Sequence, residues 1–234
     1  MRLLIGNKNY SSWSMRPWVL MRARGIPFDE QRLRLAFGPG SAMHAALHAL
    51  DGCGPMPMAL PMRVPVLVLD DGLVVWDTLA IVETLHERFP AAGVWPEAAA
   101  ARARARSLCA EMHAGFAALR QHCPMNIEAA LAAAGARVWA DQPAVRADMA
   151  RLERIWADAL AASGGPLLFG RFSAADAFFA PVAMRVMSYA LPVAPASRAY
   201  VERLAAVPAV AQWIAEARAE QDFIAEDEPY RSAR

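Results

Sequence analysis

The run Val64-Pro65-Val66-Leu67-Val68-Leu69-Asp70-Asp71-Gly72-Leu73-Val74-Val75-Trp76-Asp77-Thr78-Leu79 decides how the first 90 residues fold. Two β-branched stretches flank Asp70-Asp71-Gly72, and an Asp-Gly between such stretches is hairpin chemistry. Asp77 before Thr78 reads as a helix start. The helix predicted from Thr78 to Arg88 carries Leu79, Val82, Leu85 and His86 or Phe89 on one stripe. Upstream, Leu3-Leu4-Ile5 is a short apolar strand. A helix from about Ser12 to Arg24 is stopped by Gly25 and Pro27, and Gln31 to Leu35 alternates polar and apolar residues as a strand does. A loop rich in glycine and proline, with room for a helix around His44 and His48, completes the order βαβαββα: a small α/β domain with a mixed sheet of about four strands.

The chain has 234 residues, of which 52 are alanine; only 8 of these lie in the first 90 residues and 44 lie beyond them. That asymmetry predicts two parts of different secondary structure. The junction Arg88-Phe89-Pro90-Ala91-Ala92-Gly93-Val94-Trp95-Pro96 holds two prolines and a glycine, which break a continuing helix. Residues 1–87 are therefore expected as the α/β domain, 88–96 as a linker and 97–234 as an all-α domain. In the second part Met149, Leu152, Trp156 and Leu160 recur at three and four, as do Val210, Trp213, Ile214 and Ala217. The arginine and alanine run from Glu97 to Arg106 leads into a stripe of Leu108, Met112, Phe116 and Leu119, predicting one helix. Ser173-Ala174-Ala175-Asp176 reads as a capping box, a structural feature in which the Ser173 hydroxyl meets the amide of residue 176 and the Asp176 carboxylate reaches back.

Composition narrows the function. Hydrophobic residues make up 56%, yet much of that is alanine, and no stretch approaches the ~18 apolar residues a spanning helix needs. Met1 to Tyr10 is too short and too quickly polar for a signal peptide, so a cytoplasmic protein is expected. Arginine and lysine number 24 against 23 acidic residues, a net +1 that offers no field for nucleic acid or an anionic membrane. Lys8 is the only lysine. Cys53, Cys109 and Cys123, an odd number at irregular spacing, do not form a disulfide framework. His44 and His48 stand four apart without a third ligand, so no metal site is expected.

Three local motifs carry the chemistry: Ser11-Ser12-Trp13-Ser14-Met15-Arg16 at the mouth of the first helix, Arg63-Val64-Pro65-Val66-Leu67 at the third strand, and Trp76-Asp77-Thr78-Leu79-Ala80-Ile81 at the third helix. Each has a plain structural use as a cap or a strand start. Together with the architecture they resemble the cytosolic glutathione S-transferases, in which a thioredoxin-like first domain precedes an all-helical second one. The serine run is similar to the Ser-Ser-x-Ser-x-Arg signature of the zeta class, and the run ending Pro124-Met125-Asn126 is similar to a bacterial subgroup.

The resemblance implies glutathione as co-substrate, no metal, a homodimer and a small hydrophobic electrophile. It places Ser11 nearest the sulfur, with Ser12 and Ser14 as rivals and Tyr10 as a weaker one. A hydroxyl at a helix mouth stabilises an anionic sulfur, and the helix amides add partial positive charge. Pro65 is implied to be cis, turning the Val64 backbone toward the cysteinyl unit, with Arg63 near the glycyl carboxylate. Asp77 would take the γ-glutamyl ammonium, and the Thr78 hydroxyl and amide its carboxylate. Trp13, Met15, Met112 and Phe116 are expected around the electrophile. Serine at position 11, where omega-like relatives carry cysteine, disfavours thiol-disulfide exchange. Two alternatives stay open. One is glutathione-dependent cis-trans isomerisation of a maleylacetoacetate-type diacid, with Arg16 as a carboxylate ligand but Trp13 in place of the zeta cysteine. The other is a member of the fold that binds glutathione or a protein without catalysis.

Overall fold

The central strand β1 (Arg2–Ile5) pairs in parallel with β2 (Asp29–Arg32) on one side, with Arg2 opposite Asp29 and Ile5 opposite Arg32. On its other side it pairs antiparallel with β3 (Val66–Val68), Leu3 opposite Leu67, and β4 (Val74–Val75) completes the order β2-β1-β3-β4. The parallel pair requires a crossover, supplied by α1 (Ser12–Ala23). A short α2 (Ala42–His48) and α3 (Thr78–Arg88) give the expected βαβαββα order. The computed structural model describes residues 1–36 and 38–233.

Strand periodicity divides the core. Leu3, Ile5 and Leu67 face the large core with α1 and α3, while Leu4 and Val66 face a smaller cluster with Met43 and Leu47 of α2 and with Leu33 and Leu35. The expected strand at Gln31 to Leu35 falls earlier, at Asp29–Arg32, because β1 ends at Ile5. Beyond it Leu33 still donates its amide to the Ile5 carbonyl (2.8 Å), but the Leu35 amide goes to the Asn7 side chain (2.8 Å) instead of a ladder partner. The β3–β4 hairpin is tighter than the apolar runs suggest. Pro65 has no amide to pair, and Leu69 and Leu73 already close the turn through Leu69 N to Leu73 O (2.9 Å), with Gly72 at φ +83°. On α3, Ile81 joins Val82 and Leu85 in the buried face, and Leu79 is only partly covered.

The remainder is helical: α4 (Ala99–Ala114), α5 (Ala117–His122), α6 (Ala132–Asp141), α7 (Pro143–Ser163), α8 (Ala174–Ser188), α9 (Pro195–Ala205) and α10 (Pro208–Ala219). Together with the sheet this is the thioredoxin-like plus all-α architecture expected from the sequence. The single helix predicted through Phe116 is interrupted. α4 ends at Ala114 and Phe116 adopts φ +58°, so Met112 and Leu119 sit on different helices. Gly115 permits the break, since a Cβ there would meet the Glu111 carbonyl oxygen at 2.8 Å.

One continuous apolar core spans sheet and helices, with α1 packed on α8 and α10 and the Trp18 and Trp213 rings 5.2 Å apart. At the start of α8 the Asp176 carboxylate accepts from the Ser173 amide (3.0 Å), the Leu168 amide (3.1 Å) and the Tyr200 hydroxyl (3.2 Å), completing the capping box. Among the described residues no helix is long and apolar enough to cross a membrane.

Candidate active site

The turn from Gly6 to Ser11 delivers the serine run. The Asn7 carbonyl accepts from the Tyr10 amide (3.2 Å) and the Ser11 amide (2.8 Å), and Ser11 then caps α1 by accepting from the Ser14 amide (3.4 Å). Ser14 is fully buried; its hydroxyl oxygen accepts from the Gly6 amide (3.1 Å) and lies 2.7 Å from the Ser11 hydroxyl. Ser12, by contrast, makes no side-chain hydrogen bond among the described residues.

Residues distant in sequence clamp this turn. The Lys8 ammonium is buried between Glu30 (2.8 Å) and Glu216, 4.5 Å from the centre of the Trp18 ring, and the Trp213 indole donates to the Lys8 carbonyl (3.0 Å). The chain's one lysine thus joins β2, α1 and α10 directly behind the serines. Asn9 accepts from the amides of Ile127 (2.7 Å) and Glu128 (2.9 Å). The Tyr10 hydroxyl donates to Glu228 (2.7 Å), and its burial, reinforced by that carboxylate, pushes its pKa up to about 12, so it stays neutral.

The other two motifs lie beside it. The Val64–Pro65 bond is cis, with Pro65 buried and Arg63 exposed. Asp77 caps α3 by accepting from the Leu79 amide (3.0 Å), and Thr78 is fully buried. His113 of α4 closes over this helix end: its Nδ1 is 3.4 Å from the Thr78 hydroxyl, its Nε2 is 3.4 Å from the Asp77 carboxylate, and its ring meets Trp13 edge-on at 4.9 Å. Burial pulls the His113 pKa down, against Asp77 and together with Arg16 and Arg120, so the imidazole is neutral at pH 7.

Two cavities meet here. One, of about 450 Å³, is lined by Ser11 and Ser12 from α1's mouth together with Tyr10, Arg120, Arg185 and Asp227. The other, of about 390 Å³, is lined by Pro65, Trp76, Asp77, Thr78 and His113. Trp13, Arg63 and Val64 line both, so the two form one cleft between sheet and helices. The structure thus gathers Ser11, Ser12, Trp13, Arg63, Val64, Pro65, Asp77 and Thr78. A larger cavity of about 730 Å³ between α4 and α7 contains none of them. Among the described residues no set of three or more His, Cys, Asp or Glu side chains is placed to hold a metal.

Three expected electrophile contacts are corrected. Met15 (0% exposed) and Met112 (1%) are core residues, and Phe116 is buried at the break after α4; none lines the cleft. Met15 and Met112 sit on the buried faces of α1 and α4 and belong to the large apolar core. Arg120, Pro124, Met125, Arg185 and Asp227 line the cavity beside Ser11 and Ser12 instead. A signal for Arg185 exists in the sequence: it is the one basic residue in the otherwise apolar run Ala177 to Met187, and an isolated arginine in such a run calls for a reason.

This cavity is strongly basic. Arg16, 1% exposed, stacks with its guanidinium carbon 4.1 Å from the Trp13 ring centre and 4.9 Å from that of Phe178, and its Nε and Nη1 have no partner among the described residues. Desolvation, with Arg185 and Arg120 nearby, pulls its pKa down to about 9, still charged at neutral pH. Arg185, 4% exposed, donates only to carbonyls, Nε to Cys123 (2.7 Å) and Nη1 to Pro181 (3.1 Å), and burial lowers it to about 10. Arg120 donates Nη1 to the His113 carbonyl (3.0 Å). Asp227 is pushed up by burial, then by Glu226 and Glu228, and its Oδ2 has no partner among the described residues.

Comparison with known proteins fits this geometry. Residues 10–88 match the family model of the glutathione S-transferase N-terminal domain. Among solved structures, a glutathione transferase homolog from Burkholderia BGR1 with bound glutathione is 25% identical with a TM-score of 0.62, covering 94% of this chain and 98% of its own. A sphingomonad glutathione S-transferase complexed with glutathione is 22% identical (TM-score 0.60, 92% and 98% covered). A maleyl pyruvate isomerase, described as a bacterial zeta-class glutathione S-transferase, is 20% identical (TM-score 0.67, 95% and 100% covered). The last two share the fold. No protein of curated function matches the sequence.

Proposed function

We propose, on the premise that the chain belongs to the glutathione S-transferase family, that it is a glutathione transferase acting as a cytoplasmic homodimer. It holds glutathione along the cleft, keeps the thiol ionised beside Ser11 and delivers the thiolate to a small electrophile entering between sheet and helices. The observation that carries this reading is the single cleft that joins Ser11 and Ser12, Val64 beside cis Pro65, and Asp77 with Thr78.

In this reading Asp77 takes the γ-glutamyl ammonium, and the Thr78 hydroxyl and amide at the N-terminus of α3 take the adjacent carboxylate. The Val64 backbone pairs with the cysteinyl unit, and Arg63 meets the glycyl carboxylate. The sulfur then lies against the serines. Ser11 Oγ donates to Ser14 Oγ, which also accepts from the Gly6 amide; with the sulfur in place the Ser11 proton turns to it and the Ser14 proton turns to Ser11 Oγ. Lowering a thiol pKa from ~8.5 by about two units needs ~2.7 kcal/mol. One charge-assisted hydrogen bond supplies about 1.5–3 kcal/mol and the helix mouth about 0.3–1. With an aryl halide the thiolate sulfur forms the new carbon–sulfur bond and halide leaves with its electron pair. Holding the two reactants together contributes the rest.

Calorimetric titration with glutathione, followed by turnover of an aryl halide, tests this. Binding with turnover is expected. No binding at millimolar glutathione would sink the enzyme readings, and binding without turnover of any electrophile would leave a glutathione-binding protein. A second reading, cis-trans isomerisation of a maleylacetoacetate-type diacid, draws support from the zeta-like serine pair, both members of which line the cleft. Trp13 in place of the zeta cysteine weighs against it. Failure to turn over maleylacetone, alongside good turnover of an aryl halide, would remove it.

A further inference from the structure

The C-terminal tail brings a carboxylate to the cavity beside the serines and leaves it unbalanced. Asp227, at the end of the short turn Ala225–Asp227, is the only acidic side chain among the described residues on the wall that Tyr10, Ser11 and Ser12 also line. Its amide donates to the Ile224 carbonyl (2.9 Å). The next residue, Glu228, is buried, accepts from the Tyr10 hydroxyl (2.7 Å) and pairs with Arg231, which also reaches Glu128 (3.0 Å). The segment carrying Asp227 is thereby tied to the serine turn.

The charge of Asp227 itself has no such support. Arg63, Arg120 and Arg185 share the wall, yet none forms an ion pair with it, and its Oδ2 is buried without a hydrogen-bond donor among the described residues. The charged groups that act on it are Glu226 and Glu228, which repel a second negative charge, and with burial they raise its pKa above the ordinary aspartate value. A carboxylate so placed is stabilised by taking up a proton, the more so when a second anion enters the same cavity.

Glutathione would bring both the proton and the anion. The serines can stabilise a thiolate but cannot accept the thiol's proton, because a hydroxyl is a far weaker base. Tyr10 is neutral and already donates to Glu228. His113, the neutral base of the cleft, stands with Asp77 and Thr78 on the other cavity's wall.

We infer that Asp227 accepts the proton of the glutathione thiol, an inference that rests on the reading of the cleft as a glutathione site. The S–H bond breaks, its electron pair stays on sulfur, and the proton passes directly or through one water to the Asp227 carboxylate, which becomes a neutral acid. The cavity then holds one new negative charge on sulfur and none on Asp227. With an aryl halide the acid gives its proton to water after halide has left, restoring the carboxylate. With an acceptor whose addition leaves a carbanion, the acid returns the proton to carbon. Glu228 is a positioning residue for this step.

The test counts protons. Glutathione is titrated into the protein at pH 7 by calorimetry in buffers of different ionisation enthalpy, and thiolate absorbance is recorded on the same samples. The wild type should release less than about 0.3 proton for each thiolate formed, and Asp227→Asn, which cannot hold the proton, about one. Independently of any variant, the infrared difference spectrum of the wild type should gain a carboxylic-acid carbonyl band when glutathione binds. Release of about one proton per thiolate by the wild type, or no new acid band, would overturn the proposal. So would equally low release by both proteins, which would place the proton on another acceptor. A wild type that does not bind glutathione, or binds it without forming thiolate, fails the transferase reading itself, whereas thiolate formed with its proton lost to solvent overturns this inference alone.

Discussion

The two ends of the cleft are built in opposite ways. The α3 end is local: Asp77 and Thr78 are neighbours, the cap that starts the helix is also the polar pair that faces the cavity, and one residue from elsewhere, His113, closes over them. The α1 end is assembled from distant pieces, with serines from α1's mouth, Arg120 from α5, Arg185 from α8 and Asp227 from the C-terminal tail. A site made of one helix start tolerates drift in the rest of the fold. A site made of many pieces depends on the clamp around Lys8, Asn9 and Tyr10 that ties the serine turn to α10 and the tail. Under the proposed function the α3 end would recognise the invariant co-substrate, and the assembled end would set reactivity and acceptor choice.

Substitutions that separate binding from ionisation probe this division. The largest effect is expected for Asp77→Asn, which keeps an N-cap but loses the charge: glutathione should bind about 10- to 100-fold more weakly by calorimetry, with the bound thiol's pKa little changed. Ser11→Ala should do the reverse, raising the pKa of the bound thiol by about one to two units in thiolate absorbance against pH while binding changes by only a few-fold. An unchanged curve would point to Ser12, which lines the same cavity, or to Ser14. Ser14→Ala should raise the thiol pKa by about half as much as Ser11→Ala, because Ser14 acts on the sulfur only through Ser11.

The smallest effect concerns acidity. His113 is neutral at pH 7, its pKa held below the usual histidine value by burial. As pH falls through that lowered pKa, the imidazolium pairs with Asp77 and repels the γ-glutamyl ammonium. Affinity for glutathione should therefore hold down to about pH 6.5 and drop a few-fold below it, an exposed-site magnitude. His113→Gln should flatten that slope, and a slope that persists in the variant would clear His113 of the role.

The same contrast explains what the sequence disclosed. The hairpin at Asp71-Gly72, the Asp77 cap, the capping box at Ser173 and Asp176 and the βαβαββα order are set by residues close in sequence, and each was legible. So were the three motifs that line the cleft. Where the sequence reading failed, the deciding contact is long-range. Met15 and Met112 looked like pocket walls beside the serines and on the right helix, yet both lie on the faces of α1 and α4 that are buried in the core. Phe116 was lost to a left-handed residue that no helical stripe announces. Arg185 and Asp227 reach the site only once α8 and the tail are docked, and of the two only Arg185 left a trace, as a lone charge in an apolar helix.

The central claim, that this cleft holds glutathione as a thiolate, is tested most directly by the absorbance of enzyme-bound glutathione thiolate followed against pH. The expected midpoint is about two units below the ~8.5 of an ordinary thiol, shifted upward by Ser11→Ala. A midpoint at the ordinary value in the wild type, with glutathione shown to be bound, would contradict it.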